Sequence, residues 1–436
     1  SISRAEAEKI ATDYLGQFGY TPQNYKFANS FSGGGSSLYY LQRTLGVEES
    51  NRRMANEEWP LYYWSARWFK PMEKEEFVIY LMPDGEFLGF RHVIKEDAPG
   101  ADIPQEDAGV IAESFLSQYA GWDAAKWEQV EAASETRSGG RVDHTFAWKS
   151  RAFSAGESEL RYNLTIQGDQ VGYVDYWIKV PEDFMRQYAL ERDQAGFLNL
   201  IAYFLGFLGL LGAGLFGITM IRPDNQRALW PSLLVAGVSL AAALNFISLY
   251  TLSYNTTEDY TLFWLITILG VVFGAFFPAA LVFGAWMGGQ ALSKLVWPRQ
   301  DRILQRGHDR WVSFSRSAWR GLMFGGMQMG YMVSFYLLTE KYLGWWSPVR
   351  ADYNNLFATP FPFLQAFDIG LSAALTEELL FRLLGVSLFL WIFRKKLAWL
   401  AVLIPGVLWA FAHSGYVTYP IYVRGVELTV VALLLG

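Results

Sequence analysis

The sequence predicts a multi-pass α-helical membrane domain preceded by an α+β region that stays outside the bilayer. Three observations lead there. Apolar residues make up 52% of the chain, and from about Gly196 onward they gather in runs close to 20 residues long with almost no charge, the length a helix needs to cross a bilayer. Residues 1–195 instead alternate between helical and strand patterns, and they carry about −11 of charge against about +5 for residues 196–436. The Lys and Arg residues of the second half gather on alternate connections between the apolar runs. The same numbers argue against a purely soluble enzyme and against disorder. An acidic, aromatic-rich front region also argues against a nucleic-acid partner.

The front region reads as an internal repeat. Its first copy, residues 1–98, opens with the helical pattern Ser3 to Tyr20 and continues through the alternating stretches Tyr62 to Phe69 and Glu76 to Ile94. The second copy, residues 104–184, repeats that order in Pro104 to Trp122, His144 to Phe153 and Leu160 to Val180. A closing hairpin is marked in each by Asp84-Gly85 and by Gly168-Asp169. This order resembles tandem PepSY-type domains, small helix-plus-sheet modules found in extracytosolic proteins and peptidase propeptides. Gly33 to Ser37 (GGGSS) lies outside any strand-loop-helix pattern for phosphate binding and is expected to be a flexible loop. Residues 185–195 are expected as a linker, with the front region joined to the first span through only Arg186 to Ala195.

Spans are expected at about 197–221, 229–252, 261–293, 319–339, 362–393 and 397–414, with a seventh beginning near Val426. Residues 196–318 thus hold accessory helices and a basic loop, and residues 319–436 a final helical core. Lys294 to Arg320 contains seven basic residues against Asp301 and Asp309, which places that loop in the cytoplasm. Arg222 and Arg227, and the cluster Arg394-Lys395-Lys396, fall on the same side, whereas Ser253 to Tyr260 has no base. Residues 1–195 are therefore expected to be extracytosolic, on an integral protein of a bacterial plasma membrane. Gly206, Gly209, Gly212, Gly214 and Gly217, and the pair Gly284 and Gly288, read as small-residue faces for close helix packing.

No cysteine occurs, which removes disulfides, thiol nucleophiles and thiolate metal sites. The chain opens at Ser1 and stops at Gly436 inside an apolar run, so a leader in front and more of the membrane domain behind are expected.

The chemistry concentrates in Thr376 to Arg382, TEELLFR, in an otherwise apolar span. Carboxylates at bilayer depth are costly and mark function by default. Glu378 and Arg382, four apart in acid-before-base order, suit an intrahelical ion pair. Glu377 lies about 100° around the helix from Glu378 and has no partner on its own helix. Of the four histidines, His92, His144 and His308 lie outside the spans, and His413 ends the sixth. Glu377 stands 18 residues before Lys395 and His413 stands 18 after it, so neighbouring antiparallel helices place both at one depth, about 27 Å from the turn. A buried carboxylate facing an imidazole suits hydrolysis by activated water, and it equally suits a structural bond between two helices.

Glu377-Glu378-Leu379-Leu380-Phe381-Arg382, followed by Trp409 and His413 near the end of the next helix, resembles the first two motifs of the CPBP (CAAX protease, bacteriocin-processing, Abi) family. Trp409 stands where that family usually has Phe. The resemblance covers roughly residues 320–436. It implies a CPBP/Abi-like helical bundle and a metal-independent glutamic-type endopeptidase, with Glu377 as the base that activates water and His413 as an oxyanion-binding or water-orienting group. Glu378 and Arg382 inherit supporting roles. Family members with protease activity carry a third motif with another His and usually an Asn, which the resemblance places beyond Gly436. No cofactor and no metal are expected, because one intramembrane His without HExxH supports no zinc. The expected partner is a membrane-embedded or exported protein or peptide, with the front region as a lid or substrate-presenting module. The competing reading is a non-proteolytic scaffold, immunity-type protein or receptor built on the same fold.

Overall fold

A computed structural model of the chain describes residues 2–56, 59–220, 225–297, 309–349, 355 and 359–435. It divides into two compact units: Ser1–Arg186 with Ala243–Gly270 and Val349–Phe363, and Gln187–Ala242 with Val271–Pro348 and Leu364–Gly436.

The first unit is built on one eight-stranded antiparallel sheet, ordered β1-β2-β3-β4-β8-β7-β6-β5. Helix α1 (Arg4–Gln17) is followed by β1 (Lys26–Gly33), β2 (Tyr62–Phe69), β3 (Glu76–Leu81) and β4 (Phe87–Val93). Helices α2 (Gly35–Leu45) and α3 (Val47–Asn56) are inserted between β1 and β2. Helix α4 (Gln105–Tyr119) then precedes β5 (Trp127–Thr136), β6 (Val142–Ser150), β7 (Glu159–Gln167) and β8 (Gln170–Lys179). One helix and four strands thus occur twice, and β4 joins β8 with Phe90 opposite Val174, so the two meanders share one sheet. Both expected hairpins are present, with Gly85 at φ 102° and Gly168 at φ 68°, conformations that favour glycine.

The same core pattern recurs in both helices. Ala7, Ala11 and Leu15 of α1 and Ala108, Ala112 and Leu116 of α4 are fully buried at identical spacing against Trp64, Phe90, Trp148 and Leu164. The alanines let each helix lie close to the sheet, and each leucine contributes about 2 kcal/mol by burial. Helix α1 starts on a capping box, Ser3 Oγ accepting from Glu6 N–H and Glu6 accepting from Ser3 N–H at 2.7 Å.

One expectation for this region is corrected. GGGSS is a tight strand-to-helix turn rather than a flexible loop: β1 ends at Gly33 and α2 begins at Gly35. A Cβ on Gly33 would stand 2.2 Å from Leu61 O, so no other residue fits there. Residues 185–195 are helical, because α5 (Glu182–Tyr203) runs unbroken through them. Later segments of the chain also belong to this unit. Arg67 Nη1 donates to Tyr254 O at 2.8 Å, Tyr254 packs on Phe69, and Gln42 exchanges two hydrogen bonds with Val349. The connections 243–270 and 349–363 are therefore part of the first unit.

The second unit is helical. A π-helical segment, Phe204–Leu208, links α5 to α6 (Gly209–Met220), and α7 (Asn225–Asn245) follows. The expected second span stops there, because α8 (Ile247–Tyr250) and the turn Thr251–Ser253 belong to the first unit. Then come α9 (Tyr260–Val296), α10 (Asp309–Leu343) and α11 (Pro362–Glu377). A π-helical segment, Glu378–Val386, leads into α12 (Ser387–Ile392), and α13 (Ala398–Phe411) and α14 (Val423–Leu435) complete the unit. Among the described residues three helices are long and apolar enough to cross a membrane: Glu182–Thr219, Ala228–Asn245 and Tyr260–Val296, with Ala398–Phe411 apolar but shorter. Helices α10 and α11–α12 coincide with the expected fourth and fifth spans, and the latter carries Asp368, Glu377, Glu378 and Arg382.

Of the basic connections, Arg222, Arg299, Arg302, Arg306 and His308 lie outside the described residues, as do the side chains of Arg227 and Arg310. The Arg394–Lys396 turn is described, and Lys395 Nζ donates to Val296 O at the end of α9. The glycine face is narrower than the five residues suggested. Gly206, Gly214 and Gly217 pack, and a Cβ on Gly288 would stand 2.4 Å from Gly214 Cα. Gly209 and Gly212 have nothing within 4 Å of such an added carbon, since the helical period turns them off that face.

Candidate intramembrane active site

Glu377 is the last residue of α11, at the point where the regular helix passes into the π-helical segment. Such segments insert one residue per turn, re-aim side chains and recur at functional sites. The segment is pinned to α13 by close packing: a Cβ on Gly385 would stand 2.9 Å from Pro405 Cβ, and Phe381 and Leu384 are buried.

His413 follows α13 in the tightened turn that closes it, its N–H bonded to Ala410 O. Its Nε2 lies 3.5 Å from Glu377 Oε1. Its Nδ1 lies 2.8 Å from Trp409 O. A carbonyl only accepts, so Nδ1 carries a ring proton, and in the neutral imidazole Nε2 presents its lone pair to Glu377. At 3.5 Å the pair is too far apart for a direct hydrogen bond of normal length.

Trp409 is the residue that sequence reasoning undervalued. Its Nε1–H donates to Glu377 Oε2 at 2.6 Å, its carbonyl holds His413, and the Arg382 guanidinium lies 4.1 Å from its ring centroid. The Phe usual at this position of the motif has no N–H to give. The available signal was a donor-bearing ring one helical turn before the histidine.

Arg382 Nε stands 3.6 Å from Glu378 Oε1, so the expected i,i+4 pair is present but loose. Glu378 is 54% exposed and Arg382 12%. Arg382 Nη1 and Nη2 have no hydrogen-bond partner among the described residues, and the indole face is what compensates the buried cation.

Two further carboxylates in the helical unit escaped the sequence reading. Asp368 accepts from Ser239 Oγ at 2.6 Å. Glu427 in α14 is 1% exposed and is held by Arg424 at 2.6 Å and by the Tyr336 hydroxyl at 3.1 Å, while its carbonyl accepts from Tyr331. The signal was an acid three residues after Arg424 in an apolar run. With both charges of this pair hydrogen-bonded, Glu427 reads as an anchor of α10 on α14. Among the described residues no group of three His, Asp or Glu side chains converges on a metal position.

Residues 359–436 match the family model described as type II CAAX prenyl endopeptidase, Rce1-like. That match contains Glu377, Glu378, Arg382, Trp409 and His413 together. By both comparisons the C-terminal region is similar to CPBP-family proteins. The family so described is one of proteases. The chain is also similar to the sporulation-killing factor biosynthesis protein SkfC of Bacillus subtilis (strain 168), at 20% identity over 452 residues that cover all of this chain and 84% of that protein. This second similarity therefore includes the front sheet as well as the CPBP domain. No solved structure matches.

Proposed function

We propose that the protein is an intramembrane glutamic-type endopeptidase that hydrolyses a membrane-associated or exported peptide, with Glu377 and His413 as its catalytic pair. The observation that carries this reading is the shared acceptor geometry of the pair. With the imidazole neutral, Glu377 Oε1 and His413 Nε2 are both lone-pair acceptors 3.5 Å apart, a spacing that one water molecule spans by donating one O–H to each.

Glu377 takes a proton from that water as its oxygen attacks the scissile carbonyl carbon. The carboxyl then returns the proton to the amide nitrogen as the C–N bond breaks, leaving a new carboxyl and a free amine. Because His413 Nδ1–H is committed to Trp409 O, its Nε2 orients the water rather than donating to the oxyanion. Trp409 Nε1–H fixes the carboxylate through Oε2 and leaves Oε1 for the water. Arg382 supports the site through the indole, and Glu378 supports Arg382.

The relative named for biosynthesis of a sporulation-killing factor favours a biosynthetic processing step on an exported product over cleavage of a prenylated protein. We read the front sheet as two PepSY-like repeats on the extracytosolic side, with the Arg394–Lys396 turn cytoplasmic. The test is a substrate-processing assay on the full-length protein with Glu377→Ala and His413→Ala at matched membrane levels. Loss of processing in both supports the catalytic pair, and retained processing in both would reduce it to a helix-to-helix contact.

A further inference from the structure

The first long helix lies outside residues 359–436, yet within the second unit one of its faces reaches the turn that carries His413. Asn199 Nδ2 donates to Ala412 O at 2.7 Å, and Arg192 Nη1 donates to Gly415 O at 3.3 Å. A Cβ on Gly415 would stand 3.2 Å from Asn199 Nδ2, so glycine leaves the amide its room. Ala195 and Ala202, on the same helical face, are buried and allow the close approach.

Ala412 O is one of the carbonyls that the end of an α-helix leaves without an intrahelical partner. Around it the backbone bonds are taken elsewhere: His413 N–H goes to Ala410 O and Tyr416 N–H goes to His413 O. Among the described residues no backbone N–H is directed at Ala412 O, and Asn199 supplies the donor. In hydrocarbon an unsatisfied carbonyl is costly, so the turn would shift to find another donor.

We propose that Asn199 is a positioning residue for His413: by fixing Ala412 O it holds the imidazole where Nε2 and Glu377 Oε1 share one water. This rests on the proteolytic reading above. Displacement of such a group by about 1 Å costs on the order of 100-fold in rate, so the effect should fall on turnover rather than on substrate binding.

The experiment uses the full-length protein in liposomes with a membrane-anchored tag-release reporter that the wild type cleaves, and follows kcat, KM and the pH profile of kcat. Asn199→Leu is expected to lower kcat roughly 10- to 100-fold, to leave KM within about two-fold and to displace the pH profile. Asn199→Gln, which keeps an amide donor, should recover part of the loss. Asn199→Asp, nearly the same shape without the N–H, should behave like Asn199→Leu, and it stands in should the leucine variant not reach the membrane. Wild-type kcat in Asn199→Leu or Asn199→Asp, or a loss confined to KM, would overturn the positioning role. Glu377→Gln is run alongside. If it still cleaves, the proteolytic reading itself falls, and if it is dead while the Asn199 variants are normal, only the role of Asn199 falls.

Discussion

Trp409 Nε1 donates to Glu377 Oε2 at 2.6 Å, and the carbonyl of the same tryptophan receives His413 Nδ1–H at 2.8 Å. One residue therefore sets both the carboxylate orientation and the imidazole tautomer. The indole also carries Arg382 on its face, so three of the four motif side chains meet at one ring.

Replacing that indole by the residue usual in the motif separates these roles. Trp409→Phe keeps an aromatic face for Arg382 and the backbone carbonyl for His413, and loses only the donor to Glu377. Hydrogen bonds to charged groups contribute about 1.5–3 kcal/mol. Reporter cleavage at matched membrane levels should fall roughly 10- to 100-fold in kcat, and wild-type turnover would show that Oε2 needs no donor.

Arg382→Lys keeps the charge but loses the flat guanidinium that covers the Trp409 ring. It should lower cleavage more than Glu378→Gln does. Glu378 is half exposed and its pair is loose, so its loss should change thermal stability in detergent by at most about 1 kcal/mol.

Legibility in the sequence followed how local each signal was. Glu377 and His413 stand out because charges and imidazoles are rare in apolar runs. The helix-plus-strand repeat is visible because Ala7, Ala11 and Leu15 recur as Ala108, Ala112 and Leu116. Trp409 looked like an aromatic replacement because a side chain's donor has no meaning until its acceptor is placed. Asn199 was one polar residue in a long helix, 213 residues before the carbonyl it serves. The role of segments 243–270 and 349–363 in the first unit was hidden for the same reason. Arg67 and Tyr254 are far apart in sequence, and hydropathy alone extended the second span past Asn245.

The glycine contact in the helical unit gives a packing test. Gly288→Ala places a methyl against the Gly214 backbone, so it should lower the thermal stability of the detergent-solubilised protein by about 1–3 kcal/mol. Gly209→Ala and Gly212→Ala, where nothing lies within 4 Å, should be tolerated.

Acid should destabilise the front sheet through Asp143, whose side chain is 5% exposed and accepts from Arg141 at 2.7 Å and from Arg137 at 2.8 Å. Burial pushes its carboxyl up, but the two guanidinium groups outweigh burial and hold it below the usual carboxylate range. The folded state therefore binds fewer protons than the unfolded state on the acid side. Its stabilisation is complete above about pH 4 and is lost as the pH falls through the depressed folded value. Near-UV circular dichroism melts of the full-length protein should show this decline. Asp143→Ala should flatten it and cost about 3 kcal/mol at neutral pH, because Arg141 is left buried without its carboxylate.

The most direct test of the catalytic pair is cleavage by the purified full-length protein in liposomes, with products of a membrane-anchored peptide identified by mass. Wild type should yield two fragments whose masses sum to the peptide plus one water, and Glu377→Gln, which keeps the side-chain shape and cannot take a proton, should yield none. Equal fragment formation by Glu377→Gln would contradict the assignment of Glu377 as the base.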